Sequence, residues 1–439
     1  MPALRTLPNS SDNNLKALFF LRHYNDIDHV TPVVHKWVES GHSADIVMLG
    51  DSSSVNDYRI DYLASLEGVS VAWVGDIVGR VRLFRMGLQK LLLNRYFRGA
   101  LPDVLTQALD RLVGRKKRIS FWKKIAQRLI QRSFGGDAAA GETRGVVAFD
   151  WISGNSVFPV EFVQTVVETA RDQGLGTVSL PHGDSPHASY LVRTDELSMA
   201  PRVKFEPAKM FDAVVVPNEL CATRFRPFVE RSRVAVLGSP RYCDEWLAQL
   251  EHLLPPTPLE ANPDRLKLVL FMRKKDFSVF WDEVGRMIQM VAAFPNVELI
   301  VKAHTRGGWR QPLSRSLGLR KLDNVRFVAS EIHSSHLLDW ADAVIDIATS
   351  VAFEAVKCST PVLAADYLHA ATSTVADYLP ECALNCRDDA YNKVDHFLKN
   401  GCGDFYHPDH RERFLQNIVD VPDPDVLPRF VSLLESLAK

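Results

Sequence analysis

Short apolar runs rich in β-branched and aromatic residues recur along the chain, each stopped by a polar or turn residue. LKALFFLR (15–22), ADIVMLGD (44–51), VSVAWVGD (69–76), GVVAFDW (145–151), GTVSLPHG (176–183), FDAVVVPN (211–218) and RVAVLGSP (233–240) form one series. KLVLFMR (267–273), VELIVKAH (297–304), VRFVAS (325–330), DAVIDIA (342–348) and TPVLAAD (360–366) form a second. Stretches long enough for a helix separate most of them. A strand in a parallel sheet is covered on both faces, so it reads as a continuous apolar run instead of an alternating one. The pattern predicts an α/β chain of two doubly wound, Rossmann-type domains with a cleft between them.

At 439 residues the chain exceeds one ordinary core, which agrees with two domains. The Pro-rich, aperiodic stretch LLPPTPLEANPDR (253–265) separates the two series. The expected division is an N-terminal domain over 1–252, a linker over 253–266 and a C-terminal domain over 267–439. Ligands of such sheets bind beyond the carboxyl ends of the strands, and the polar clusters fall there. They are His182-Gly183-Asp184, Gly238-Ser239-Pro240-Arg241, Arg273-Lys274-Lys275-Asp276, Lys302-Ala303-His304 and Thr349-Ser350.

The formal net charge of -1 gives no global argument for nucleic acid, so any electrostatic partner is local. Charge balance breaks in the basic segment 80–132: from Gly79 to Arg132 fifteen Lys and Arg residues face only Asp103 and Asp110, with Leu, Phe and Trp interleaved at helical spacing. A basic amphipathic helix pair of this kind suits the anionic face of a membrane. The plainer reading is a solvated helix face whose apolar side packs on the core. RNA fits less well, because no aromatic stacking platform accompanies the charge. Six dispersed cysteines read as reduced thiols, and Cys382 with Cys386 makes no zinc site alone. The start of the chain is polar, and no run approaches the roughly 18 apolar residues that span a bilayer. The expectation is a cytoplasmic protein, at most peripheral at the inner face of the cell membrane.

The most informative stretch is DAVIDIATSVAFEAVKCSTPVLAAD (342–366), which reads strand, small-hydroxyl turn, helix, strand. Helix-start N–H groups with the hydroxyls of Thr349 and Ser350 suit an anion, although simple capping is the commoner use of such residues. Glu354, one turn in, is placed to accept hydrogen bonds from a ribose. Lys302 and His304 are two residues apart at a strand end, on one face. With Arg273 they suit a diphosphate or the charge of a departing phosphate.

This order of motifs resembles the GT-B transferases of bacterial surface polymers, most closely the CDP-glycerol glycerophosphotransferases of teichoic-acid synthesis, over residues 176 to 366. The matches are His182-Gly183, the Gly-x-Pro-Arg at Gly238 to Arg241, the strand ending at Arg273, Lys302-Ala303-His304-Thr305, and Asp346-Ile347-Ala348-Thr349-Ser350. The resemblance implies a GT-B-like fold, His182 near the reacting acceptor, and Lys302, His304, Thr349 and Ser350 on the donor phosphates. The chain departs from the family in the loop after His182, in both prolines around His304, and in the tyrosine before the hydroxyl pair. Capsule-type glycosyltransferases using CMP-activated keto-sugars look similar in the same half.

Sugar transfer from a CMP- or CDP-activated donor to a surface polysaccharide or glycolipid is therefore the first expectation. A CDP-polyol polyolphosphotransferase is the alternative, and a nonhydrolysing nucleotide-sugar epimerase or a noncatalytic assembly partner comes next. An acceptor hydroxyl needs a base, for which His182 or Asp184 is expected, with Asp150 a competing carboxylate on the same rim. The donor-binding set is Gly238, Arg241, Arg273, Lys302, His304, Thr349, Ser350 and Glu354. Asp26-Ile27-Asp28 and Asp423-Pro424-Asp425 have the spacing of metal-nucleotide triplets, but neither brings further carboxylates. No metal and no other cofactor is expected.

Overall fold

The computed structural model describes residues 14–22, 24–50, 57–93, 114–135, 144–153, 159–183, 205–256, 259–260, 262–273, 279–304, 313, 322–329 and 332–438. Asp184, His187, Lys274, Lys275, Asp276 and Arg306 lie outside them. The chain divides into two compact units. Of the described residues, one comprises those up to 182, those from 205 to 249 and those from 423 onward, and the other those from 250 to 422 with residue 183.

The first unit is built on seven strands: β1 (Lys16–Leu21), β2 (Ser43–Met48), β3 (Val69–Trp73), β4 (Gly145–Asp150), β5 (Gly176–Leu180), β6 (Ala213–Val216) and β7 (Val234–Val236). Their order is β3-β2-β1-β4-β5-β6-β7, and every pairing is parallel. The second unit carries β8 (Leu266–Phe271), β9 (Val297–Lys302), β10 (Val325–Val328), β11 (Ala343–Asp346) and β12 (Val362–Ala364), in the order β10-β9-β8-β11-β12, again all parallel. All twelve runs read from the sequence are strands. Each sheet reverses its winding once, between β1 and β4 and between β8 and β11, and crevices for ligands form at such reversals.

Two expectations are corrected. The second domain does not run to residue 439: the last helix, Val426–Leu437, belongs to the first unit and buries Val426, Leu427, Phe430, Val431 and Leu434. His42 Nε2 lies 2.9 Å from Glu435 in that helix. Gly176 permits this packing, since a Cβ there would collide with the Leu437 carbonyl. The Pro-rich stretch is tied to the second unit, where Trp340 Nε1 donates to the Glu260 carbonyl at 3.1 Å and His336 Nε2 meets the Pro255 carbonyl at 2.9 Å.

The basic segment also divides. The helix Arg115–Phe134 puts Phe121, Trp122, Ile125, Leu129, Ile130 and Phe134 into the core of the first unit. Each such side chain contributes about 1.5–3 kcal/mol on burial, so its apolar face is committed to the fold. Arg118 pairs with Glu161 through Nε (3.1 Å) and Nη2 (2.9 Å), while Lys116, Lys117, Lys123 and Lys124 face outward. The helix Arg80–Leu93 differs, for it leaves Val81, Phe84 and Leu88 exposed. No helix among the described residues is long and apolar enough to cross a membrane.

Candidate active site

The carboxyl ends of three adjacent strands, β1, β4 and β5, converge where the first sheet reverses. Arg22 follows β1, Asp150 ends β4, and His182 stands two residues beyond β5. Asp26 joins them from the first turn of the helix Tyr24–Glu39. Parallel alignment of β1 with β4 and of β4 with β5 brings these residues together from distant parts of the sequence. Gly50, just after β2, lets the Arg22 backbone in, because a Cβ there would lie 2.8 Å from the Arg22 carbonyl oxygen.

One oxygen of Asp26 accepts the backbone N–H of Arg22 at 2.8 Å and its Nε at 3.0 Å. Arg22 also donates through Nη2 to Asp150 Oδ2. That Asp150 oxygen lies 2.9 Å from His182 Nδ1, and Asp26 Oδ1 lies 3.5 Å from the same nitrogen. Both carboxylate side chains are 1% exposed, whereas the imidazole is 27% exposed. The arrangement is a buried ion network with one group at its surface.

Burial and charge set the protonation of these groups. Burial disfavours an imidazolium at His182, but the hydrogen bonds and charges of Asp150 and Asp26 outweigh it and raise the pKa to about 9. Burial likewise opposes ionisation of Asp26, yet the Arg22 guanidinium and His182 hold its carboxyl far below the usual range. For Asp150 burial wins: its carboxyl is raised, with Arg22 opposing and the neighbouring Asp26 charge adding to the rise. His182 is therefore held protonated near neutral pH.

Asp26, Asp150 and His182 have ligand atoms within 4.8 Å of one another, the grouping a metal ion would need. The Arg22 guanidinium already faces both carboxylates, so a divalent ion would have to displace an internal cation. Asp28 does not join the group. It pairs with Arg59 and, at 3.2 Å, with Arg241 Nε. The triplet Asp26-Ile27-Asp28 thus serves two separate networks. His29, packed edge-on to Tyr242, is driven by burial to a pKa of about 3, so it stays neutral. In the other triplet, Asp423 accepts the Asp425 amide at 2.9 Å, as a turn residue does.

Of the residues expected on the donor, Gly238 and Arg241 fall in the first unit. Gly238 has φ +85°, a conformation that suits glycine, and Arg241 is buried on Asp28. In the second unit Arg273 follows β8 and Asp346 ends β11, the two strands flanking the sheet reversal. The Thr349 amide donates to both Asp346 oxygens at 3.1 and 3.0 Å, and its hydroxyl donates to Oδ1. Burial pushes the Asp346 carboxyl up to about 7, against the hydrogen bonds of Thr349 and the charge of Arg273. Ala348 turns the chain at φ +49°, and Ser350 begins the helix Val351–Lys357 without a side-chain capping bond. His304 lies half-buried past the end of β9.

Two donor-side expectations are redirected. Lys302 donates from Nζ to the Ile332 carbonyl at 2.6 Å and to the Ala329 carbonyl. Its ammonium ties β9 to the loop after β10. Glu354 is buried, and its Oε1 accepts the Ser335 hydroxyl, which ties one of its two oxygens to a neighbouring helix. Sequence reading missed Arg22, although it ends the first apolar run as Arg273 ends a later one.

No protein-family model and no curated protein matches the chain. Solved structures do. The UDP-GlcNAc 2-epimerase of Neisseria meningitidis, bound to UDP-GlcNAc, is 10% identical over 96% of this chain and 99% of its own, with a TM-score of 0.55. A putative UDP-N-acetylglucosamine 2-epimerase of Listeria monocytogenes is 11% identical over 97% and 96%, with a TM-score of 0.57. This chain has a GT-B-like fold. An Anabaena protein in complex with UDP and glucose shares that fold, 12% identical over 97% of this chain and 100% of its own, with a TM-score of 0.52. At such identities the likeness is one of fold.

Proposed function

We propose that the protein acts on a nucleotide-activated sugar, with His182 as its proton donor, and that the reaction is transfer of the sugar to a polymer or glycolipid acceptor. The observation that carries the reading is His182 Nδ1 at 2.9 Å from the buried Asp150, with Asp26 and Arg22 behind it. A cationic imidazole at a strand-end crevice suits the negative charge that develops when a sugar leaves a phosphate. Asp150, Asp26 and Arg22 act through His182, as positioning residues. Arg273 and the Thr349-Ser350 turn of the second unit are the proposed nucleotide-holding residues.

Epimerisation is the second reading, favoured by the UDP-GlcNAc 2-epimerases among the structures of like fold. The transfer reading is supported by the exposed basic and apolar helix Arg80–Leu93, for which an enzyme of soluble sugar nucleotides has no use. The test is incubation with UDP-, CMP-, CDP- and GDP-activated sugars, followed by NMR of the sugar and assay of released nucleotide. UDP comes first because the Neisseria and Anabaena proteins bind UDP compounds. Nucleotide release that depends on added glycolipid extract supports transfer. A 2-epimer formed without acceptor moves the assignment to epimerisation, and no turnover of any sugar nucleotide removes both.

A further inference from the structure

The outer surface formed by the helices Arg80–Leu93 and Arg115–Phe134 is unexplained by the chemistry above. Neither helix contains an acidic residue. Arg85 stacks 4.6 Å over the Phe121 ring, so the two helices touch at that point. Val81, Phe84 and Leu88, spaced for one helix face, are 84%, 76% and 46% exposed. On the second helix Lys116, Lys123 and Lys124, with Ile119, Ser120 and Gln127, line a shallow pocket of about 390 Å³.

Apolar side chains in water beside a one-signed field define the partner. A polynucleotide would satisfy the lysines but leave Val81, Phe84 and Leu88 hydrated. A neutral apolar partner would bury the stripe and leave the positive charge uncompensated. An anionic bilayer supplies both components, phosphate headgroups for the lysines and an acyl boundary for the stripe. We infer that this surface docks the protein on anionic phospholipid membranes, the stripe of the first helix entering the headgroup region and the lysine pocket of the second taking a lipid phosphate. The inference does not depend on which reaction the enzyme performs.

Co-sedimentation of the full chain with phosphatidylcholine vesicles, with and without phosphatidylglycerol, tests it. The protein should sediment only with the anionic vesicles, and less so as salt is raised. Lys116→Ala/Lys123→Ala/Lys124→Ala should weaken partition about 100-fold, at about one decade or less per charge removed. Phe84→Glu should weaken it by about tenfold or more through loss of the inserted ring. Both variants change exposed positions, and an unchanged melting temperature verifies their folding. The inference is overturned if the wild type ignores anionic vesicles, if it binds neutral vesicles equally, or if the folded variants bind as the wild type does. Capture by RNA in place of vesicles overturns it as well.

Discussion

Asp150 Oδ2 lies 2.9 Å from Nδ1 of His182, and the same oxygen accepts a hydrogen bond from Arg22. The pair joins the end of β4 to the loop after β5. Two buried carboxylates, one buried guanidinium and one partly exposed imidazole form a set whose charges cancel when all are ionised. Such a set tolerates burial because each charge meets its opposite, and it holds the exposed member in one protonation state.

The raised pKa of His182 makes stability depend on pH. The folded value is about 9 and the ordinary value 6.5, so the contribution is fully present below pH 6.5 and is lost as pH rises through 9. The stability difference between wild type and His182→Gln should shrink by about 2–3 kcal/mol from about pH 6 to about pH 10, read by chemical denaturation. A constant difference would show that the carboxylates do not hold the proton.

Asp26→Asn should destabilise the fold by about 3–5 kcal/mol, because it leaves the buried Arg22 charge short of a partner. Asp28→Asn should cost less, since Asp28 is a third exposed, Arg59 keeps Asp57 as a partner, and the new amide oxygen can still accept from Arg241. Melting curves of the two variants give the comparison.

Lys302→Met should cost about 2–3 kcal/mol of stability through the two carbonyls it leaves unsatisfied. Nucleotide affinity should change little, whereas Arg273→Ala should lower it without comparable loss of stability. Thermal shift with UDP separates the two effects. A large loss of UDP binding in a folded Lys302→Met protein would return Lys302 to the donor phosphates.

Asp346 is raised to about 7 from an ordinary 3.8, so wild-type stability falls as pH rises from about 4 through 7 while the carboxyl is forced to ionise in a buried site. Asp346→Asn has no such loss. Its stability relative to wild type should improve by about 2–4 kcal/mol between about pH 4 and about pH 8. Denaturation at the two pH values measures this.

The strands were legible because a parallel strand advertises itself as an unbroken apolar run, and runs such as GVVAFDW and VELIVKAH ended close to where the structure ends them. The role of each strand-end residue was less legible. Lys302 and Arg273 look alike in sequence, yet one satisfies two carbonyls and the other lies near the buried Asp346. Arg22, Asp26 and Asp150 are drawn together by strand order, which spacing along the chain does not encode. The last helix shows an amphipathic pattern in its sequence, but that pattern does not say which sheet it covers. The basic segment was ambiguous for the same reason: Phe121 and Phe84 sit in similar company, and only packing separates the buried one from the exposed one.

The central claim is that His182 works as a proton donor held charged by Asp150, and the pH–rate profile of sugar-nucleotide turnover tests it most directly. Wild-type activity should fall as pH rises through about 9, as the imidazolium is lost. Asp150→Asn should move that limb down by a unit or more with UDP binding retained, and His182→Gln should lower turnover by about 100-fold or more. Activity that instead rises through about pH 9, or a limb that Asp150→Asn leaves in place, would contradict the account.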